Sequence, residues 1–372
     1  MAESAVGGIG AGGSPTLKSI QVLRAVAAIG VLTLHAATEK VTHMGGAPGP
    51  FKNFLLGAAG VDLFFVISGF VMVYSSESLF GRRDGPQRFF LRRLARIAPL
   101  YWAVTVVIIL YIYAVHGRVL WDIYTPGSLI ASFLFWPYPR VDGFAFPVHL
   151  LGWTLNYEMF FYAVFALAIL LPRRIAVPAV CLAFLAIVAI GRATVLPLPF
   201  LFWANLIILE FCYGMLIALA YREGLRLPPA AAWALGIAAV AGYASMYSPP
   251  EAWGEWRVLF WGLPSAALVA ACALSDSTWH PGPAGRFFGL LGDASYSLYL
   301  VHPLTFPLVR WTIGRWFDFS GAPWLYAAIA WASAVAASIV CYRMFERPIT
   351  RALQRWLRER QRPPAPSRSA PG

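Results

Sequence analysis

Ten apolar stretches, each about 20 residues long and so able to cross the roughly 30 Å hydrocarbon core of a bilayer as a helix, follow one another along this chain. They run approximately from Lys18 to Thr38, Phe54 to Ser75, Ile97 to His116, Leu150 to Leu171, Ile175 to Gly191, Pro199 to Tyr221, Ala230 to Tyr247, Arg257 to Ser275, Gly289 to Thr312 and Pro323 to Tyr342. In lipid a backbone must satisfy its own hydrogen bonds, so runs of this kind fold as helices. The predicted fold class is all-α: a polytopic transmembrane helix bundle of about ten helices. Composition agrees, with 59% hydrophobic and only 12% charged residues, where soluble domains carry about 25% charged. A shorter apolar piece, Leu129 to Trp136, sits among Pro and aromatic residues and is read as re-entrant or interfacial.

Ten crossings put both termini on one side, and Lys/Arg counts of alternate loops decide which. One side collects 20 Lys and Arg, including six arginines from Arg82 to Arg96 and eight from Arg343 onward; the other collects 8. The termini are therefore expected in the cytoplasm. The net charge of +12 is the mark of such loops rather than of a nucleic-acid partner. Residues 1–17 read as an N-terminal tail, 18–350 as one membrane domain and 351–372 as a basic, Pro-rich cytoplasmic tail. Met1 to Pro15 and Pro363 to Gly372 are predicted to be disordered. Met1 to Leu17 lacks a basic region before an apolar one, so the first span is expected to target the chain. Cys181, Cys212, Cys272 and Cys341 show no metal-ligand spacing and read as packing residues.

Ionisable residues inside spans are expensive and point to function. Arg24 and His35 lie 11 residues apart in the first span, which returns them to nearly one helix face about 16 Å apart along the axis. Asp62 in GVDLFFVISGF, Glu158 in WTLNYEMFFY and His302 in LGDASYSLYLVH fall at about the depth of His35, in the outer half of the membrane. Two histidines and two carboxylates at one depth suggest one polar site. Asp62 beside Gly60, and Ser68 beside Gly69, equally suit helix packing through small residues. On the cytoplasmic side, the loop RRDGPQRFFLRRLARIAPLYW could anchor topology, but Lys would anchor as well as Arg. Arg grips phosphate bidentately, which marks Arg92, Arg93 and Arg96 as candidates for a nucleotide cofactor; Arg93 and Arg96 share a helix face at i and i+3. No GxSxG elbow, Walker A loop, HExxH or dinucleotide fingerprint is present, and nothing suggests a metal.

Arg24-x10-His35, GVDLFFVISGF, Arg93-x-x-Arg96, WTLNYEMFFY, LGDASYSLYLVH and the closing FERP at Phe345 to Pro348 occur in an order and spacing that resembles the acyltransferase 3 family of membrane O-acyltransferases, from about residue 18 to 350. The resemblance implies ten membrane helices, acyl-coenzyme A as donor, and a hydroxyl acceptor on a sugar of a surface or exported glycan or glycolipid. It also implies a multi-pass protein of the bacterial cell membrane. Some relatives append an extracytoplasmic esterase-like domain; this chain resembles the shorter members.

Residues and resemblance join in one expected mechanism. The donor's phosphates dock at Arg93 and Arg96, and His35 acts as general base on the acceptor hydroxyl. Glu158 or Asp62 orients the imidazole, and Arg24 holds the donor or stabilises the oxyanion. Ser68, Tyr296 and His302 are further site candidates. Direct transfer and an acetyl-His35 intermediate both fit these residues. A transporter or flippase with a buried proton relay is the alternative from another class, against which stand the absence of an inverted repeat and the arginine cluster. Aromatics of the loop from Gly117 to His149, namely Trp121, Tyr124, Trp136 and Tyr138, suit a membrane interface or stacking on sugar rings.

Overall fold

In the computed structural model the described residues are 15–44, 56–117, 121–245, 256–275, 282–317, 319 and 322–361. But for Pro15, the tails predicted to be disordered lie outside them. Among the described residues the regular structure is helical, and a single bridge, Leu227 to Ser275, is the sole β-pairing. Every one of the ten predicted segments is occupied by helix. Among the described residues, six helical stretches are long and apolar enough to cross a membrane: Lys18–Glu39, Leu56–Ser75, Gly85–His116, Leu150–Ala168, Arg173–Ala193 and Trp324–Arg360.

The first of these stretches lies in α1 (Pro15–Met44) and the second ends in α2 (Ala59–Ser75). Helix α3 (Gly85–His116) starts at Gly85 rather than at Ile97, with Pro86 in its first turn, where a missing N–H is harmless. The arginine-rich stretch read as a loop is thus the opening of α3. A short loop helix α4 (Pro126–Phe133) occupies the re-entrant candidate; a reciprocal Thr125/Ser128 capping box starts it, and Trp102 ties its end to α3 by donating to the Phe133 carbonyl at 2.8 Å. Helices α5 (Trp153–Ala168) and α6 (Arg173–Ala193) follow.

Three predicted segments are interrupted. The sixth breaks into α7 (Phe200–Trp203), a 3₁₀ turn at Leu206–Ile208 and α8 (Leu209–Arg222). After α9 (Pro229–Ser245), the eighth enters as a π-helical turn, Val258–Gly262, before α10 (Leu263–Leu274). The ninth divides at Ala294 into α11 (Pro283–Asp293) and α12 (Ser295–Thr312). A hydropathy window of span length averages over the few polar residues at such breaks, Asn205 and Asp293 among them, and so passes over them. Helix α13 (Pro323–Cys341) continues through a π-helical turn, Tyr342–Glu346, into α14 (Arg347–Arg360). At 1.5 Å per residue the 37-residue stretch from Trp324 to Arg360 is about 55 Å long, well beyond a hydrocarbon core. Arg88 of α3 secures its far end by donating to the Gln361 carbonyl at 3.2 Å.

Helices α2 and α8 cross with their backbones in contact, because Gly69 lies against the Phe211 carbonyl and Gly214 against that of Val66. A Cβ at 214 would stand 1.9 Å from Val66 O. Gly60 meets the Ala27 carbonyl of α1 in the same way, so the small residues beside Asp62 and Ser68 do serve packing. Gly214→Ala is expected to lower the thermal midpoint of the detergent-purified protein by a margin corresponding to about 1–3 kcal/mol of overpacking. An unchanged midpoint would show that the helices can separate at no cost.

Candidate active site

One cavity of about 610 Å³ opens between α1, α2, α3, α5 and α12, within the range of pockets that hold drug-sized ligands. Periodicity decides which side chains reach it. On α2, Val61, Phe64, Phe65, Ile67, Ser68, Val71, Met72, Tyr74 and Ser75 line the wall, a broad face built on spacings of three, four and seven residues. On α3, Arg93 and Arg96 share a face as predicted and both line the cavity, together with Ile97. Arg92, 100° round the helix from Arg93, does not. Arg24, Glu158 and Tyr296 complete the predicted residues gathered here.

Polar side chains are held in place by one another. Glu158 accepts hydrogen bonds from the Ser68 and Tyr162 hydroxyls. Arg93, buried, donates from Nη2 to Ser75 Oγ at 2.7 Å and lies 5.6 Å over the Phe89 ring, while its Nε has no protein partner. Arg24 donates to Gln21 Oε1 at 3.2 Å, and Gln21 donates in turn to Asp293 Oδ1 at 2.8 Å. Glu346 of the FERP segment is buried and accepts from Ser297 Oγ at 2.6 Å. The Tyr296 hydroxyl donates to the Ile97 carbonyl at 2.7 Å.

At the rim, Arg222 stacks 4.5 Å over the Tyr74 ring and donates to the Tyr74 carbonyl at 2.5 Å. Arg173 joins Glu77 to Glu223 beside it. Hydrogen bonds from Arg174 and Arg173 hold the exposed Glu223 carboxylate below its usual range. Four arginines, Arg24, Arg93, Arg96 and Arg222, thus face three carboxylates, Glu77, Glu158 and Asp293, in the cavity lining. That balance suits an anionic ligand.

The histidines stand apart from the cavity lining and against each other. His35 Nδ1 and His302 Nε2 are 2.8 Å apart. Tyr299 connects the two regions: it lines the cavity, its hydroxyl meets Thr154 Oγ1 at 3.0 Å, and its ring meets that of His302 at 6.5 Å. The carboxylate expected to orient His35 is therefore absent from it, since Glu158 is engaged by Ser68 and Tyr162. Asp62 turns away altogether. Six residues before Ser68, it lies about 240° round α2 from the cavity-facing serine, and forms a two-pronged ion pair with Arg257, both contacts 2.7 Å. Equality of depth had suggested one site; depth does not fix which way a helical residue faces.

Several polar residues escaped the sequence reading. Arg257, the first residue of the eighth apolar stretch, is the half-buried partner of the fully buried Asp62 and also donates to the Ala58 carbonyl at 3.0 Å. Glu210, fully buried in α8, faces the Asp62 carboxylate of this pair. It sits inside the sixth apolar stretch, so the rule that flagged Asp62 and Glu158 flags it too. His149, buried with Nε2 unpartnered and its ring 6.2 Å from that of Tyr101, precedes the fourth span and carried no such signal. Of the loop aromatics, Trp121, Trp136 and Tyr138 are exposed, although Trp136 also meets Trp203 edge-on at 5.0 Å, and Arg140 lies 5.9 Å over the half-buried Tyr124. Among the described residues, no group of three or more His, Cys, Asp and Glu gathers as metal ligands would.

The acyltransferase domain family matches residues 17–343. The exopolysaccharide production protein ExoZ of Rhizobium meliloti is 36% identical over 326 residues, covering 86% of this chain and 95% of that protein. Acyltransferase MdmB of Streptomyces mycarofaciens is 28% identical over 77% of this chain and 78% of its own. Peptidoglycan O-acetyltransferase OatA of Listeria monocytogenes is 29% identical over 39% of this chain and 23% of its own length. No solved structure gives a significant match.

Proposed function

The chain belongs to the acyltransferase family, and from that premise we propose that it transfers an acyl group, acetyl by default, from acyl-coenzyme A to a sugar hydroxyl of a surface or exported glycan. The observation that carries this reading is the arginine-lined cavity whose lining includes Tyr299, the ring neighbour of His302, which in turn meets His35. Relatives named for exopolysaccharide production and for peptidoglycan O-acetylation support a glycan acceptor. We propose a multi-pass protein of the bacterial cell membrane with ten crossings and both termini in the cytoplasm. In that orientation the start of α1, the end of α2, the start of α3, the end of α8 and the start of α12 share the cytoplasmic side. These are the helix ends that supply Arg24, Tyr74, Arg93, Arg96, Arg222 and Ser295 to the cavity.

Arg93 and Arg96, both in the cavity lining, bind the donor's phosphates. His35 takes the acceptor's hydroxyl proton as the acceptor oxygen bonds to the thioester carbonyl carbon and the carbon–sulfur bond breaks. His35 then returns that proton to the departing sulfur, so the reaction needs no other acid or base. Arg24, at the cytoplasmic half of α1, binds the donor rather than the oxyanion, because it lies about 16 Å along the helix from His35. Asp62, paired to Arg257, fixes the α2 to α10 packing beside the site.

Detergent-purified protein given labelled acetyl-coenzyme A and a glycan acceptor is expected to release coenzyme A and label the acceptor. A transporter would leave the thioester intact, and that result would refute the reading. Replacing Arg93 and Arg96 together by alanine is expected to weaken coenzyme A binding by at least about tenfold, since charge-assisted phosphate contacts are each worth about 1.5–3 kcal/mol. Acceptor binding should change little. Calorimetry or equilibrium dialysis on folded protein reads both, and an unchanged donor affinity would reduce these arginines to topological anchors.

A further inference from the structure

We propose that His302 is a positioning residue that fixes the tautomer of His35, leaving His35 Nε2 as the bare nitrogen that accepts the proton; this rests on the base assigned to His35 above. Two contacts determine the arrangement. His302 Nδ1 is 2.8 Å from the Leu298 carbonyl oxygen, one turn back on the same helix. A carbonyl can only accept, so Nδ1 carries the hydrogen. In a neutral imidazole the other nitrogen is then unprotonated, and His302 Nε2 is an acceptor. It lies 2.8 Å from His35 Nδ1. The hydrogen in that contact must come from His35, which places the one ring proton of His35 on Nδ1 and leaves Nε2 free.

The rings' geometry fits a hydrogen bond rather than face-to-face stacking. Their centroids are 5.0 Å apart and the planes differ by 19°, as when two imidazoles meet edge to edge with donor and lone pair in one plane. Both contacts engage ring nitrogens of His302, so turning that ring over would break them together. The neighbours are aromatic, Tyr299 and Phe306, with His149 facing from the α5 side. Glu158 and Asp62 are engaged elsewhere, so an imidazolium held at rest would have no counter-ion from either. His302 is sealed at 1% exposure while His35 is only half-buried. The first can orient and the second can meet a substrate.

The arrangement does for His35 what a carboxylate does in a hydrolase triad, with a neutral acceptor in place of a charged one. When Nε2 takes the acceptor's proton, the Nδ1–H to His302 persists, so the ring holds its orientation until the proton passes to the leaving sulfur.

The deciding experiment is nitrogen NMR on the full-length protein labelled with ¹⁵N-histidine in nanodiscs near neutral pH. Signals are assigned by their loss in His35→Gln and in His302→Gln. His35 is expected to show a protonated Nδ1 and an unprotonated Nε2, with scalar coupling from His35 Nδ1–H to His302 Nε2. A proton found on His35 Nε2 overturns the inference. In activity, His302→Leu is expected to lower kcat by about 10²-fold or more with the donor KM unchanged. His302→Gln, whose Oε1 can accept where Nε2 did, should recover kcat to within about tenfold of wild type. Equal losses in both variants would also overturn it. The underlying reading fails separately: full turnover in His35→Ala refutes the base while leaving the resting NMR pattern of the wild type as it is.

Discussion

Replacing His35 with alanine is expected to lower the rate of acyl transfer by about 10²- to 10⁴-fold while leaving acyl-coenzyme A affinity nearly unchanged. The separation of the two effects follows from where the groups lie. The arginines that fit phosphates line the cavity, whereas His35 stands against His302 beyond that lining. A general base acts on the transition state more than on the bound ground state, so kcat falls and donor binding holds. Truncation at 35 removes a half-buried ring and its hydrogen bond to His302, a loss of about 1–3 kcal/mol that should leave the protein folded. Steady-state kinetics beside donor binding measures both quantities. Near-normal turnover would remove His35 from the chemistry, and a large loss of donor affinity would mean that it contacts the donor at rest.

Arg257→Ala is expected to produce the largest loss of stability, about 3–5 kcal/mol, because it strands a buried charge. Arg257 meets Asp62 through two contacts of 2.7 Å, and Glu210 lies fully buried beside them. Without the guanidinium, two carboxyl groups share an interior with no cation between them. The loss is comparable to much of a typical protein's net stability, so thermal unfolding in detergent should show a large fall in midpoint and reduced yield. Adding Asp62→Asn to Arg257→Ala should recover part of it, since the stranded charge is removed. A single Arg257→Ala variant that melts with the wild type would show that the pair contributes nothing.

How much of this the sequence carried depends on the kind of information. Helices were legible because each apolar run must satisfy its own backbone, and helix stands at all ten segments. The start of α3 was not, because Arg92, Arg93 and Arg96 read as loop charges although arginine is a good helix former. Arg24, Ser68, Glu158, Arg93, Arg96 and Tyr296 do gather round one cavity. Depth along a helix is one-dimensional arithmetic and picked out Glu158 alone among these, whereas phosphate chemistry and helix spacing marked Arg93 and Arg96; azimuth depends on which helix packs where, and it turns Asp62 to Arg257 rather than to this cavity. The contact between His35 and His302, 267 residues apart, depends on how α1 and α12 pack, which residue spacing within one helix cannot show. Glu158 and Asp62 are engaged elsewhere, and the ring nitrogen of His35 meets a second histidine.

The most direct measurement uses proteoliposomes with the protein in one orientation, fixed by labelling a cysteine placed at Arg88 of α3. Labelled acetyl-coenzyme A is supplied to one face at a time, with a glycan acceptor present on both. Transfer to the acceptor is expected only when the donor is on the face bearing Arg88, and should disappear in His35→Ala. Transfer with the donor confined to the opposite face, or none from either face with protein that is folded, would contradict donor entry through the arginine-lined cavity.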